Sequence, residues 1–124
     1  INTKDAVFYN GYPNELQQVV LVILNNAKDA LISRKIKNPE ISMDIIANKK
    51  EIKILIKDNA MGIQNNIIDK IFEPYFTTKH KSKGTGLGLY LSKKIIEEGM
   101  NGTINVENEE DGAKFTIILR KENL

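Results

Sequence analysis

Between Leu16 and Leu31, apolar side chains fall at Leu16, Val20, Ile23, Ala27 and Leu31, the spacing of one face of an amphipathic helix. Pro13-Asn14 offers a start, and Asn38-Pro39 breaks the pattern and begins a turn. Ile41 to Ala47 and Glu51 to Lys57 then read as two strands joined around Asn48-Lys49-Lys50. In the second, Ile52, Ile54 and Ile56 alternate with Lys53, Leu55 and Lys57. Asp58-Asn59-Ala60-Met61-Gly62 follows as a turn at the strand end, and a short helix is expected over Asn66 to Ile71. The segment from Glu73 to Gly84 is polar and long for a connection in a compact domain, which favours a functional role. A further helix is predicted from about Leu87 to Glu98, ended by Gly99 or Gly102. Thr103 to Glu107 and Lys114 to Arg120 close the chain as a hairpin across Glu109-Glu110-Asp111-Gly112. The order helix, two strands, helices, two strands points to an α+β fold with helices on one face of a mixed sheet.

Composition narrows the classes. At 124 residues the chain fits one compact domain able to bury a core. No apolar run approaches the length of a membrane span, and the N-terminus lacks the layout of a signal peptide. The absence of cysteine removes disulfide and thiolate chemistry and fits a reducing compartment, and with one histidine there is little basis for a structural zinc site. A formal charge of +2 is too mild to imply a nucleic-acid partner. The chain opens at Ile1 without an initiator methionine and is read as an excised piece of a larger protein.

The most specific chemistry lies in GTGLGL, where Gly84, Gly86 and Gly88 alternate just before a helical pattern. Glycines let backbone amides come close to a phosphate, and a helix start adds unpaired N–H donors and the positive end of the macrodipole. Lys79, Lys81 and Lys83 lie just upstream, so the segment looks built to fold over a polyphosphate. It is not a P-loop, since no Gly-Lys-Ser/Thr follows, and the spacing departs from a dinucleotide fingerprint. A flexible hinge before a helix is the competing reading.

Three other positions draw notice. Asn26 falls at the border of the apolar stripe and Asn25 points further toward solvent, with Asp29 a turn beyond Asn26. A half-buried amide oxygen beside a carboxylate could meet a hydrated Mg²⁺, and a solvated helix edge would look the same. Asp58 could accept a hydrogen bond from an adenine amino group, with Gly62 clearing room for the base; a turn-forming Asp-Asn pair is the alternative. His80 sits among lysines with no nearby acid to orient it, which makes it a solvated histidine rather than a phosphoacceptor.

Taken in order, these segments resemble the catalytic and ATP-binding domain of sensor histidine kinases, within the gyrase, Hsp90, histidine kinase and MutL (GHKL) superfamily. LQQVVLVILNNAKDAL looks like the asparagine box, DNAMGI the first glycine box, IFEPYFTTK the phenylalanine box and GTGLGLYLSKKII the second glycine box. GMNGTINVEN with GAKFTIIL is similar to the closing hairpin, so the resemblance runs from about Asn14 to Leu119. It implies a Bergerat-type fold, a two-layer α/β sandwich whose mixed sheet of about five strands is covered on one face by about three helices. Residues 1–124 would form a single ATP-binding catalytic domain, without the acceptor-histidine and sensor regions.

The resemblance also implies roles. Asn26 would hold Mg²⁺ against the phosphates of ATP, and Asp58 would bind the adenine amino group. Gly62 and Ile63 would line the base pocket, with Asp29, Ala30, Ala60 and Thr116 completing the nucleotide contacts. Gly84, Thr85, Gly86, Leu87, Gly88 and Leu89 would present amides to the phosphates, and Lys79 or another lysine of the same loop would neutralise charge; Asn26 and Lys79 would be the catalytic pair. The implied activity is transfer of the γ-phosphoryl group of Mg·ATP to a histidine on a separate helical dimerisation domain, with a response regulator downstream and no nucleic-acid partner. The parent protein would be a homodimer with this domain in the cytoplasm, whether or not the parent is anchored in a membrane. An isolated domain would barely autophosphorylate. Three departures stand out. Val22 occupies the position of the family's first asparagine-box residue, where ATP-hydrolysing relatives often place a glutamate that activates water. Ala60 replaces the first glycine of DxGxG, and Ala30 stands where many relatives carry an aromatic. A regulatory nucleotide-binding module with degraded catalysis, or a GHKL-type ATPase, is the alternative function.

Overall fold

The computed structural model describes residues 2–3, 13–76 and 86–120. Among these residues five strands form one sheet in the order β1-β2-β3-β5-β4: β1 (Asn2–Thr3), β2 (Ile41–Ala47), β3 (Glu51–Asp58), β4 (Thr103–Glu109) and β5 (Gly112–Arg120). β1 runs parallel to β2 and every other pairing is antiparallel, so the sheet is mixed, as expected. The α-helices of the described residues, α1 (Pro13–Ser33) and α2 (Gly88–Lys94), lie across one face.

Strand alternation decides what they cover. Ile52, Ile54 and Ile56 of β3 face the helices with Phe115, Ile117 and Leu119 of β5 and Ile104 of β4. From the other layer come Val19 and Ile23 of α1, Ile96 after α2, and Met100. Val19, rather than Val20, is the buried residue in the first part of α1, since the stripe runs Val19, Ile23, Ala27, Leu31.

Most boundaries lie within a few residues of expectation. α1 begins at Pro13, a residue suited to a first helical turn where its missing N–H is not needed. It ends just past Leu31, at a Schellman motif ahead of Asn38-Pro39. Lys35 N–H bonds to the Ile32 carbonyl at 3.1 Å and Ile36 N–H to the Leu31 carbonyl at 3.1 Å, with Lys35 at φ 53°. The helix expected over Asn66–Ile71 shrinks to a 3₁₀ turn, Ile68–Lys70. The helix expected from about Leu87 to Glu98 is α-helical only to Lys94 and widens into a π turn over Ile95–Gly99. Asn48 closes the β2–β3 hairpin, its Oδ1 accepting from the Lys50 and Glu51 amides at 2.8 and 2.9 Å. At the other hairpin the strands extend to Glu109 and Gly112, leaving only Glu110 and Asp111 in the turn.

Candidate nucleotide site

α1 spans the whole candidate site. At Val22 it touches the start of α2: a Cβ added to Gly88 would stand 3.2 Å from Val22 Cγ1. Past its C-terminal end the Arg34 guanidinium donates to the carbonyls of Ala60 and Gly62, in the turn that follows β3. Val22 and Arg34 are about 18 Å apart along the axis at 1.5 Å per residue. Asn26, Asp29 and Ala30 lie between them and are half-buried, while Asn25 is exposed, as the helical periodicity predicts.

At the far end of this line stands Asp58, half-buried on the helix-facing side of β3 in the alternation of Ile52, Ile54 and Ile56. Its Oδ1 accepts from the Ala60 amide at 2.9 Å and from the Ala113 amide at 3.4 Å. The Asp-Asn turn and the positioned carboxylate are therefore one arrangement rather than competing readings. Asn59 does separate work: its side chain accepts from the Glu40 amide and donates to the Asn38 carbonyl, both at 2.8 Å.

The turn itself is unusual. Positive φ falls at Met61 (74°) and Gly62 (79°), so Ala60 keeps an ordinary backbone and its methyl is buried. Met61, a residue with a Cβ in left-handed space, is 73% exposed. The Met61 amide donates to the Asp111 carbonyl at 2.8 Å. Asn108 of β4 pairs with Ile63 as a strand residue would, accepting from its amide at 2.8 Å and donating to its carbonyl at 2.6 Å. A Cβ at Gly62 would lie 2.7 Å from Asn108 Oδ1, which explains the glycine there.

At the near end, Gly86 and Leu87 lead into α2. The Tyr75 amide donates to the Gly86 carbonyl at 2.8 Å, with Tyr75 at φ 64° and Gly86 at φ 73°. A Cβ at Gly86 would come 2.4 Å from the Tyr75 carbonyl carbon. The phenylalanine-box and second glycine-box segments thus meet at one backbone pair. Phe72 anchors the former, edge-on to Phe115 with centroids 6.3 Å apart and with Lys93 Nζ 5.1 Å from its own ring centre. Buried Ser92 donates back to the Gly88 carbonyl at 2.8 Å.

The structure brings Asn26, Asp29, Ala30, Asp58, Ala60, Gly62, Ile63, Gly86, Leu87, Gly88 and Leu89 to the two ends and the middle of α1. Lys79, Gly84, Thr85 and His80 lie outside the described residues. Thr116 is a correction. It pairs with Leu55 and Asn105 on the sheet face away from the helices, opposite in parity to Phe115 and Ile117, so it cannot meet a ligand held between α1 and Asp58. Ala113, whose amide reaches the Asp58 carboxylate, is the β5 residue at that position. Sequence reasoning also missed Arg34 and Asn108. Asn108 had a signal, being polar at the parity of Ile104 and Val106; Arg34 had none.

Residues 11–123 match the family described as histidine kinase-, DNA gyrase B- and HSP90-like ATPase. The chain belongs to this family. It is 34% identical over 112 residues to the two-component sensor PprA of Pseudomonas aeruginosa, covering 88% of this chain and 12% of that protein. Sporulation kinase A of Bacillus subtilis is 34% identical over 122 residues, covering 96% of this chain and 19% of the kinase. The catalytic domain of histidine kinase ThkA superposes with a TM-score of 0.75 at 31% identity, over 90% of this chain and 70% of that one. The chain therefore spans about 12–19% of the length of these two curated relatives. It has the fold of a histidine-kinase-type ATP-binding domain, and among its described residues no helix is long and apolar enough to cross a membrane.

Proposed function

We propose that this domain binds Mg·ATP and donates the γ-phosphoryl group to a histidine on a separate helical dimerisation domain of its parent protein, within a two-component pathway ending at a response regulator. The observation carrying this reading is the line along α1, from the Gly88 contact through half-buried Asn26 to the turn bearing Asp58. The donor set fits a nucleoside triphosphate. Asp58 Oδ1 is tied down by two amides, leaving its other oxygen to accept from an adenine amino group. The main chain from Gly86 to Leu89, at the opposite end of the line, would donate to phosphate oxygens, joined by Gly84, Thr85 and Lys79. Gly62, Ile63 and Ala60 would border the base, and Asp29 and Ala30 the ribose side.

Among the described residues no cluster of three or more His, Cys, Asp or Glu could hold a metal by itself. The Asn26 amide oxygen would help hold a Mg²⁺ that comes with the phosphates. When bound it would neutralise charge developing on the phosphates. The chain's own part is positioning, which is most of what phosphoryl transfer demands. Val22 cannot deprotonate a water and is packed against Gly88, which disfavours steady hydrolysis. A histidine acceptor loses less, since a neutral imidazole is already nucleophilic. The same valine favours a second reading, a nucleotide-binding regulatory module without transfer.

Incubating the chain with labelled ATP, Mg²⁺ and the parent's helical domain supplied in trans tests this. Label on the helical domain's histidine, and almost none on the chain alone, is expected. Label on His80, or magnesium-dependent binding without any transfer, would overturn the kinase reading.

A further inference from the structure

We propose that Arg34 is a positioning residue for purine recognition, holding the turn after β3 at a set distance from Asn26. This rests on the ATP-binding reading above. Arg34 is the C-cap residue of the Schellman motif, so the backbone beneath it is fixed by the Lys35 and Ile36 amide bonds. From there one terminal nitrogen, Nη1, bridges two carbonyls, Ala60 and Gly62. Those carbonyls flank Met61, and the successive left-handed residues Met61 and Gly62 form a turn that needs outside support.

The support comes from different directions. The Met61 amide goes to Asp111 and the Ile63 backbone to Asn108, which join the turn to the β4–β5 hairpin. The Ala60 amide goes to Asp58. Arg34 supplies the tie to the helix carrying Asn26, about 12 Å back along the axis. Without it the turn keeps its sheet anchors but loses its register against α1. The base would then be held at the wrong distance from the phosphate donors, while the phosphate donors themselves would be unaltered. A flexible ammonium in place of the guanidinium would keep the charge and recover the bridge only in part.

Titration of the chain with a non-hydrolysable Mg·ATP analogue and, separately, with Mg·tripolyphosphate tests this, alongside amide hydrogen exchange without ligand. Arg34→Ala is expected to weaken the ATP analogue roughly tenfold, the scale of a lost charge-assisted hydrogen bond, and to leave tripolyphosphate unchanged. Exchange at the hydrogen-bonded Met61 and Ile63 amides should rise as the turn loosens, and Arg34→Lys should recover part of the affinity. Unchanged affinity with unchanged exchange would overturn the proposal. So would equal weakening of both ligands with a lowered unfolding midpoint, which marks a merely structural role. Failure of the unmodified chain to bind the analogue would instead remove the ATP reading itself, and this inference with it.

Discussion

Gly112 lies so close to Asp58 that a Cβ there would stand 1.5 Å from the Asp58 carbonyl oxygen. The hairpin's first β5 residue thus sets where β3 ends and where its last carboxylate stands. Gly112→Ala should push the two strands apart at this point. We expect it to destabilise the domain by about 2–4 kcal/mol, in the upper range of overpacking, measured as a shift in urea midpoint.

Asp58→Ala should leave the Ala60 amide without its acceptor and a bound adenine amino group without a partner. ATP affinity should fall by about 1–3 kcal/mol, read by calorimetry. Equal affinity in the variant would remove the adenine assignment.

The Tyr75–Gly86 backbone pair gives a separate handle on the phosphate end. Gly86→Ala meets both a φ of 73° and the Tyr75 main chain at 2.4 Å. Affinity for inorganic tripolyphosphate should fall along with that for ATP, which Asp58→Ala should not cause.

The C-terminal end of α1 is not optimised. Lys35 holds a left-handed conformation at φ 53° that glycine adopts without a Cβ penalty. Lys35→Gly should therefore stabilise the chain by roughly 0.5–1 kcal/mol, visible as a raised thermal midpoint.

Glu109 carries the clearest pH signature. Hydrogen bonds from Lys114 and Lys57, at 2.8 and 2.7 Å, pull its carboxyl from 4.5 down to about 2. A lowered folded-state value means stability that is fully present above the ordinary carboxylate range and lost as pH falls from about 4.5 toward 2. The same contacts raise both lysines, so their share persists until strongly alkaline pH. Glu109→Gln should lower stability at neutral pH and flatten the acid limb of a stability-versus-pH curve by the same amount, a small one because solvent screens these partly exposed pairs. An unaltered acid limb would rule this out.

Periodicity and punctuation in the chain were enough to establish the helix with Asn25 outside and Asn26 at its border, the alternating isoleucines of β3, and the order of glycine- and asparagine-rich segments. These are local consequences of 3.6- and 2-residue repeats, which need no knowledge of neighbours. The facing of Thr116 away from Asp58, the bridge from Arg34 to Ala60 and Gly62, the Asn108–Ile63 pair and the Val22–Gly88 contact came only with the tertiary structure. Each joins residues far apart in the chain. Such pairs are chosen by strand register and by how a helix lies across a sheet, and neither is written in the spacing of any one segment.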